Sequence, residues 1–277
     1  MPVKESRNLF RLLRKKASWV RKKTLDIHGI APETRLASSL SSVEIFVTLY
    51  YGGLLKFDAK NPLWEERDRF IVSKGHGAVS LYPVLADLGF LDPRELKRVC
   101  RQGSRLGAVP DSTVPGIETM NGSLGHGLGV ACGMALALKR KRSDARVFVL
   151  LGDGELFEGA VWEAIMFAGQ HRLDNLISVV DNNGICMLDY CRDVIDLSPL
   201  EKKFESFKWR VATADGHDVE EIYHRLAGLK ESADDRPGVL IADTVKGKGV
   251  ALLERDVLCH IRSLKEKEII TARRKLQ

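Results

Sequence analysis

No run of about 18 apolar residues occurs in the 277-residue sequence, so no segment reads as a membrane-spanning helix. The amino terminus is basic but lacks an adjoining apolar core, which argues against a secretory signal and makes the cytoplasm the expected compartment. Five cysteines, Cys100, Cys132, Cys186, Cys191 and Cys259, show neither paired nor metal-like spacing, and the odd number fits reduced thiols. Internal repeats, low-complexity tracts and linker-like stretches are missing, so nothing divides the chain. The net charge of +6 gathers toward the two ends, over residues 11–23 and 265–275. Those basic runs lack interleaved aromatics and any nucleic-acid-binding module, so a solvated helix face or an anionic substrate explains them better than a nucleic acid. Neither nucleic acid nor membrane is expected as a partner.

What is present is ordinary for a soluble globular protein: 44% hydrophobic and 29% charged residues in a chain long enough to bury a large core. The central stretch is Val147-Phe148-Val149-Leu150-Leu151, an apolar run without polar alternation, stopped by Gly152-Asp153-Gly154. That is the pattern of a parallel strand covered on both faces, ended by a tight turn. A second such run, residues 176–180, ends in Asp181-Asn182-Asn183-Gly184. Between them, residues 158–171 space Val161, Ile165, Phe167 and Ala168 at helical intervals, so the whole reads as one right-handed βαβ unit.

Both polar turns then lie at the carboxyl ends of neighbouring strands, where open α/β sheets bind ligands. They offer hard oxygen donors and glycine backbone. Mg²⁺ takes one or two protein ligands plus phosphate oxygens and water, which Asp153, Asn183 and the carbonyl of Ile185 could supply beside a diphosphate. Backbone N–H groups after Gly154 suit an anion.

Elsewhere the alternation continues. Residues 4–28 read as a helix, 42–55 as a second, 68–72 as a short strand, 121–139 as a glycine-rich entry into a small-residue helix, and 219–230 as a helix between strands at 209–212 and 238–244. Each strand delivers a polar loop: Ser73-Lys74-Gly75-His76-Gly77, Asp215-Gly216-His217-Asp218 and Lys246-Gly247-Lys248-Gly249. The fold class expected is α/β, a central parallel sheet with helices on both faces. It forms one domain over residues 1–277, with a helical amino-terminal extension over about 1–28 and a basic tail over about 261–277.

A Gly-Asp-Gly alone is usually a surface turn. Here 27 residues separate Gly154 from Asn182, and a Gly-Asp-Gly joined across one βαβ unit to Asn-Asn resembles the thiamine diphosphate signature. The run from Gly152 to Ala164, Leu173-Asp174-Asn175-Leu176, Pro115-Gly116-Ile117-Glu118 and Gly122-Ser123-Leu124-Gly125 are similar to the amino-terminal subunit of two-chain transketolases. The resemblance covers nearly the whole chain. It implies a thiamine diphosphate-binding fold, with thiamine diphosphate and Mg²⁺ as cofactors. It places Gly152, Asp153, Gly154, Glu155, Asn183 and the Gly122-Ser123-Leu124 backbone along the cofactor, and makes His76 a diphosphate contact, since even a neutral imidazole can donate to a phosphate oxygen.

The family's cofactor-activating glutamate belongs to a pyrimidine-binding domain that these 277 residues do not contain. The expected partner is therefore a carboxyl-terminal subunit carrying that domain, in an assembly of two copies of each chain. Glu158 corresponds to an interface residue taking part in communication between sites; an ordinary first-turn acid favoured by the helix dipole is the plain alternative. His260 resembles a substrate or proton-transfer histidine, although Cys259 replaces the usual Trp before it. His126 occupies a position often held by Gln. Arg35 stands where a histidine is expected, and the loop Gly107-Ala108-Val109-Pro110 lacks its histidine. An arginine there could recognise a carboxylate or phosphate absent from ordinary donors; the competing alignment makes His28 the functional histidine. The expected reaction transfers a two-carbon ketol unit from a ketose phosphate to an aldehyde. Alternatives are a specialised C2 or acyl transfer, such as building a branched sugar, a non-catalytic regulatory subunit, and nucleic-acid binding through the basic ends.

Overall fold

A computed structural model of the protein describes residues 3–187, 189–254 and 256–276, with side chains from residue 6. Three helices open the chain: α1 (Val3–Ile30), α2 (Leu36–Leu40) and α3 (Val43–Tyr51). Then come β1 (Arg69–Val72), α4 (Leu81–Leu88), α5 (Gly127–Arg140), β2 (Val147–Gly152), α6 (Gly159–Gln170) and β3 (Leu176–Asn182). Two short helices, α7 (Cys191–Val194) and α8 (Leu200–Ser206), lead to β4 (Arg210–Asp215), α9 (Val219–Glu231) and β5 (Gly238–Asp243). The described chain closes with α10 (Ala251–Glu254) and α11 (Glu266–Lys275). Three-residue-per-turn helices lie over Gly75–Ser80, Pro93–Arg98 and Gly154–Phe157.

The five strands form one parallel sheet in the order β1-β2-β3-β5-β4. Alternate residues of each central strand feed opposite cores. Phe148, Leu150, Ile177 and Val179 pack with α1, α3, α4 and α9, whereas Val147, Val149, Leu151, Leu176 and Val180 pack with α5 and α6. A strand buried on both faces has no reason to alternate with polar residues, which is why Val147–Leu151 is continuously apolar and 176–180 is interrupted only by the buried Ser178. A third cluster joins Leu25 of α1, Leu36 and Leu40 of α2, Leu253 of α10 and Ala272 of α11. No described helix is long and apolar enough to cross a membrane.

Two boundaries differ from the sequence expectation. The helix expected over residues 42–55 ends at Tyr51: the Gly52 N–H still bonds the Thr48 carbonyl, and Gly53 then takes a left-handed backbone at φ +72° that stops the helix. The strand expected over 209–212 runs on to Asp215, held by parallel pairing with β5 through Asp215 and Asp243. That pairing brings the ends of β4 and β5 level with those of β2 and β3, so all the polar loops emerge on one edge.

Candidate active site

The turn after β2 and the turn after β3 are bound to each other through one carboxylate. Asp153 Oδ1 accepts from the Gly154 N–H at 2.8 Å, and Oδ2 accepts from the Gly184 N–H. Asn183 completes the second turn: its Oδ1 accepts from the Ile185 N–H at 3.2 Å. From the loop after β5, the Lys246 ammonium donates to the carbonyls of Ile185 at 2.6 Å and Cys186 at 2.7 Å. A cavity of about 380 Å³ opens above these groups. Its lining includes Asp153, Gly154, Asn183, Ile185, Lys246, His76 and His260, with Gly122, Leu124, Gly152, Glu155 and Glu158 around them. A wider cleft of about 750 Å³ beside it shares Asp153, Asn183, Ile185 and Lys246.

Burial pushes the Asp153 carboxyl up to about 6, and the nearby Asp181 adds to the effect, against the backbone donors and Lys246. A buried carboxylate raised in this way gains from a divalent cation beside it. Among the described residues no three His, Cys, Asp or Glu side chains are grouped so that they could hold a metal ion. A cation here would accordingly draw on one carboxylate, an amide and a carbonyl, which suits an ion that keeps its remaining positions for phosphate and water. The Ile185 carbonyl already accepts from an ammonium, so a cation at that oxygen would share it with Lys246. At Gly122 a Cβ would project into open space, leaving the backbone approachable by a ligand. The donor set and the cavity volume thus fit a metal-bound diphosphate.

Two histidines stand together at the cavity. The rings of His76 and His260 meet edge to face with centroids 4.9 Å apart, and His260 Nδ1 lies 3.4 Å from Ser38 Oγ. Burial drives His76 down to about 2, helped by the positive charges of Lys74, His260 and Lys246. Burial also lowers His260 to about 4, assisted by Lys246, Arg35 and Lys74. Both rings are neutral at neutral pH, each with one donor and one acceptor nitrogen.

Beneath them lies a buried polar floor. Asp181, the second-to-last residue of β3, forms an ion pair with Lys74 and accepts hydroxyl bonds from Ser41 at 2.6 Å, Ser42 at 2.7 Å and Thr244. Those donors hold Asp181 down to about 2 despite complete burial, with Lys74 the chief stabiliser. Glu155 lines the cavity, but its carboxylate is engaged by Ser73 and by the Gly125 and Gly152 N–H groups at 2.9 and 3.1 Å. It ties the β1, β2 and α5 loops together.

The remaining expected residues divide. Glu158 sits at the cavity rim, where it precedes α6. His126 is exposed just before α5, and Ser123 is exposed beside Gly122 and outside the lining. Arg35 is half-buried on the flank of His260 and does not line the cavity. His28, the residue the alternative alignment singles out, is fully buried in α1 and does not line the cavity. Thr34 Oγ1 donates to the Ala31 carbonyl, so His28 Nδ1–H donates to Thr34 Oγ1 at 2.9 Å, while Nε2 accepts from the Leu264 N–H at 3.2 Å. Both nitrogens of this neutral ring serve packing. The loop that lacks the second expected histidine is pinned by the Tyr82 hydroxyl, which donates to the Gly107 and Val109 carbonyls at 3.0 and 3.1 Å.

Sequence reasoning assigned no role to Lys74, Lys246, Asp181 or Ser38. The lysines lie within polar strand-end loops, but a lysine in a glycine turn is ordinarily solvated. Asp181 carried a signal: a carboxylate closing a wholly apolar run must find a buried partner.

Residues 15–277 match the family described as Transketolase, thiamine diphosphate binding domain. The chain is 38% identical over 255 residues to the 6-deoxy-6-sulfo-D-fructose transketolase subunit SqwG of Clostridium sp. (strain MSTE9), covering 92% of each. It is 38% identical over 244 residues to an apulose-4-phosphate transketolase subunit of Actinobacillus succinogenes, covering 87% of each. Among solved structures, the transketolase of Campylobacter jejuni superposes with a TM-score of 0.90 at 32% identity, over 96% of this chain and 43% of that one. The chain thus spans less than half of that larger enzyme.

Proposed function

The chain belongs to the transketolase family and carries its thiamine diphosphate-binding domain, and from that premise we propose that it is the cofactor-holding half of a two-chain ketol transferase. The observation carrying this reading is the convergence of Asp153, Asn183, Ile185, His76 and His260 on one cavity at the carboxyl edge of the sheet. Thiamine diphosphate, when bound, supplies the electron sink for cleaving and forming carbon–carbon bonds next to a carbonyl.

This chain's residues hold and orient it. Asp153, Asn183 and the Ile185 carbonyl bind Mg²⁺, and His76, Gly154, the Lys246 ammonium and the backbone of Gly122, Ser123 and Leu124 hold the diphosphate. Gly152 and Glu155 fix the turn that presents Asp153. Neutral His260, set by Ser38, faces the substrate as a donor or acceptor of one proton. Glu158 at the rim lies against a neighbouring chain. The partner is a carboxyl-terminal subunit with the pyrimidine-binding domain, two copies of each chain assembling in the cytoplasm; both curated relatives above bear subunit names.

The reaction is transfer of a two-carbon ketol unit from a ketose phosphate to an aldehyde. A second reading, a specialised C2 transfer to an unusual sugar, is favoured by Arg35 beside His260. Native mass spectrometry of the protein isolated gently in Mg²⁺ and thiamine diphosphate tests the assembly. A complex with a second polypeptide and bound cofactor is expected; an assembly without cofactor and without such a partner overturns the reading.

A further inference from the structure

We propose that Arg35, which flanks His260 just outside the cavity lining, forms an anion-binding subsite beside that histidine, selecting substrates that carry a carboxylate or phosphate there. The proposal rests on the thiamine diphosphate-dependent function given above. Three contacts fix the position of Arg35. His260 Nδ1 lies 3.4 Å from Ser38 Oγ, Ser263 Oγ donates to the Pro32 carbonyl at 2.7 Å, and the Leu264 N–H donates to His28 Nε2 at 3.2 Å. The segment 260–264 therefore runs along residues 28–38, and Arg35 lies between the anchored positions 32 and 38. Its carbonyl accepts from the Ser39 N–H at 3.1 Å and from Ser39 Oγ at 3.0 Å, so the backbone is held while the side chain is left to act.

That side chain has no carboxylate to answer. Lys74 pairs with Asp181, and Lys246 donates to two carbonyls with Asp153 near, yet the half-buried Arg35 guanidinium has neither a hydrogen bond nor an ion pair among the described residues. Its positive charge reaches His260, where it helps to keep the ring neutral. Glu33, an acid close in sequence, is exposed and acts on His28 and Cys100. A partly desolvated guanidinium without a counterion is a fork waiting for two oxygens, which a carboxylate or a phosphate supplies with matching geometry. It flanks His260, the residue assigned to the substrate, and does not line the cavity that holds Asp153, Lys246 and His76. The charge it selects therefore belongs to a reacting sugar or acid.

The test uses the complex of this chain with its carboxyl-terminal subunit, loaded with Mg²⁺ and thiamine diphosphate, so that the diphosphate position is filled. Ligand-observed NMR titrations of glycolate, 2-phosphoglycolate and uncharged ethylene glycol compare the wild type with Arg35→Gln and Arg35→Lys. At least one of the two anions is expected to bind about tenfold or more weakly to Arg35→Gln, with Arg35→Lys recovering part of the loss and thiamine diphosphate affinity alike in all three proteins. Which anion responds separates carboxylate from phosphate. Equal anion binding by the wild type and Arg35→Gln, with cofactor bound in both, overturns the subsite alone. Failure of every protein to bind thiamine diphosphate overturns the underlying function and this proposal with it.

Discussion

The ammonium of Lys74 and the carboxylate of Asp181, 107 residues apart in sequence, meet in a fully buried ion pair under the cavity. Each leaves its partner uncompensated if removed. Lys74→Met is expected to destabilise the protein by about 3–5 kcal/mol, since a buried carboxylate would then rest on hydroxyl donors alone. Asp181→Asn keeps an acceptor for Ser41 and Ser42 but strands the ammonium. Urea unfolding of both single variants and the double variant should give a combined cost below the sum by about 1 kcal/mol or more. Simple additivity would show that the two side chains act separately.

Acid should weaken the fold through its buried histidines. His28, His76 and His260 all have lowered pKa values, His76 at about 2 and His260 at about 4, with burial the leading cause in each. Unfolding releases them to take protons near 6.5, so the unfolded state binds more protons below that pH and stability falls as pH falls. Each such histidine contributes at most about 1.4 kcal/mol per pH unit in this window. Asp153, raised to about 6, works in the opposite direction below pH 6 because its folded form takes the proton first. Glu118 and Glu155, also raised by burial, work with Asp153 as the pH falls further, and with three histidines as the larger side near neutrality the melting temperature is expected to drop from pH 7 to pH 6. His76→Gln should flatten that slope; an unchanged slope would remove His76 from the account.

Cation binding should follow the same carboxyl with its own pH dependence. Protons compete with Mg²⁺ at Asp153, so Mg²⁺ affinity is expected to hold above pH 6 and fall up to about tenfold per pH unit below it. Asp153→Asn keeps an oxygen but removes the charge, and should cut the affinity for Mg²⁺ with thiamine diphosphate by about 100-fold at pH 7.5 while abolishing the acid limb. Cofactor titrations followed by circular dichroism at pH 7.5 and pH 5 read both effects. Retained affinity in Asp153→Asn would move the metal elsewhere.

How far the sequence could be read depended on the range of the interaction. The two central strands declared themselves because burial on both faces leaves Val147–Leu151 wholly apolar and 176–180 apolar but for the small, buried Ser178. Their polar turns, and with them Asp153 and Asn183, followed from strand order. The end of β4 was missed because an edge strand is only partly buried, so its polar Thr213 and Asp215 gave no apolar signal. Lys74 was missed because its meaning lies in Asp181, which no local pattern announces. His28 kept two readings open until Leu264, 236 residues onward, accounted for its second nitrogen. A histidine's residue type cannot say whether its partner is a substrate or a distant backbone amide.

The entry to α5 offers a last test, because Gly125 and Glu158 share one small space. Gly125 adopts φ +87°, and a Cβ built there would lie 2.7 Å from Glu158 Cβ. Its N–H also bonds Glu155, which holds the β2 turn. Gly125→Ala therefore combines a left-handed backbone with a collision, and is expected to cost about 2–4 kcal/mol. Glu158→Ala leaves its own Cβ in place and removes only the outer carboxyl arm, which lies 3.1 Å or more from the same point. Adding it to Gly125→Ala should accordingly recover less than half of the loss, because backbone strain and the Cβ contact both remain. Loss of cofactor affinity should track Gly125→Ala more than Glu158→Ala, since only the glycine's N–H reaches through Glu155 to the turn that carries Asp153. Full rescue by Glu158→Ala would mean that the carboxyl arm, not the backbone, sets the position of this loop.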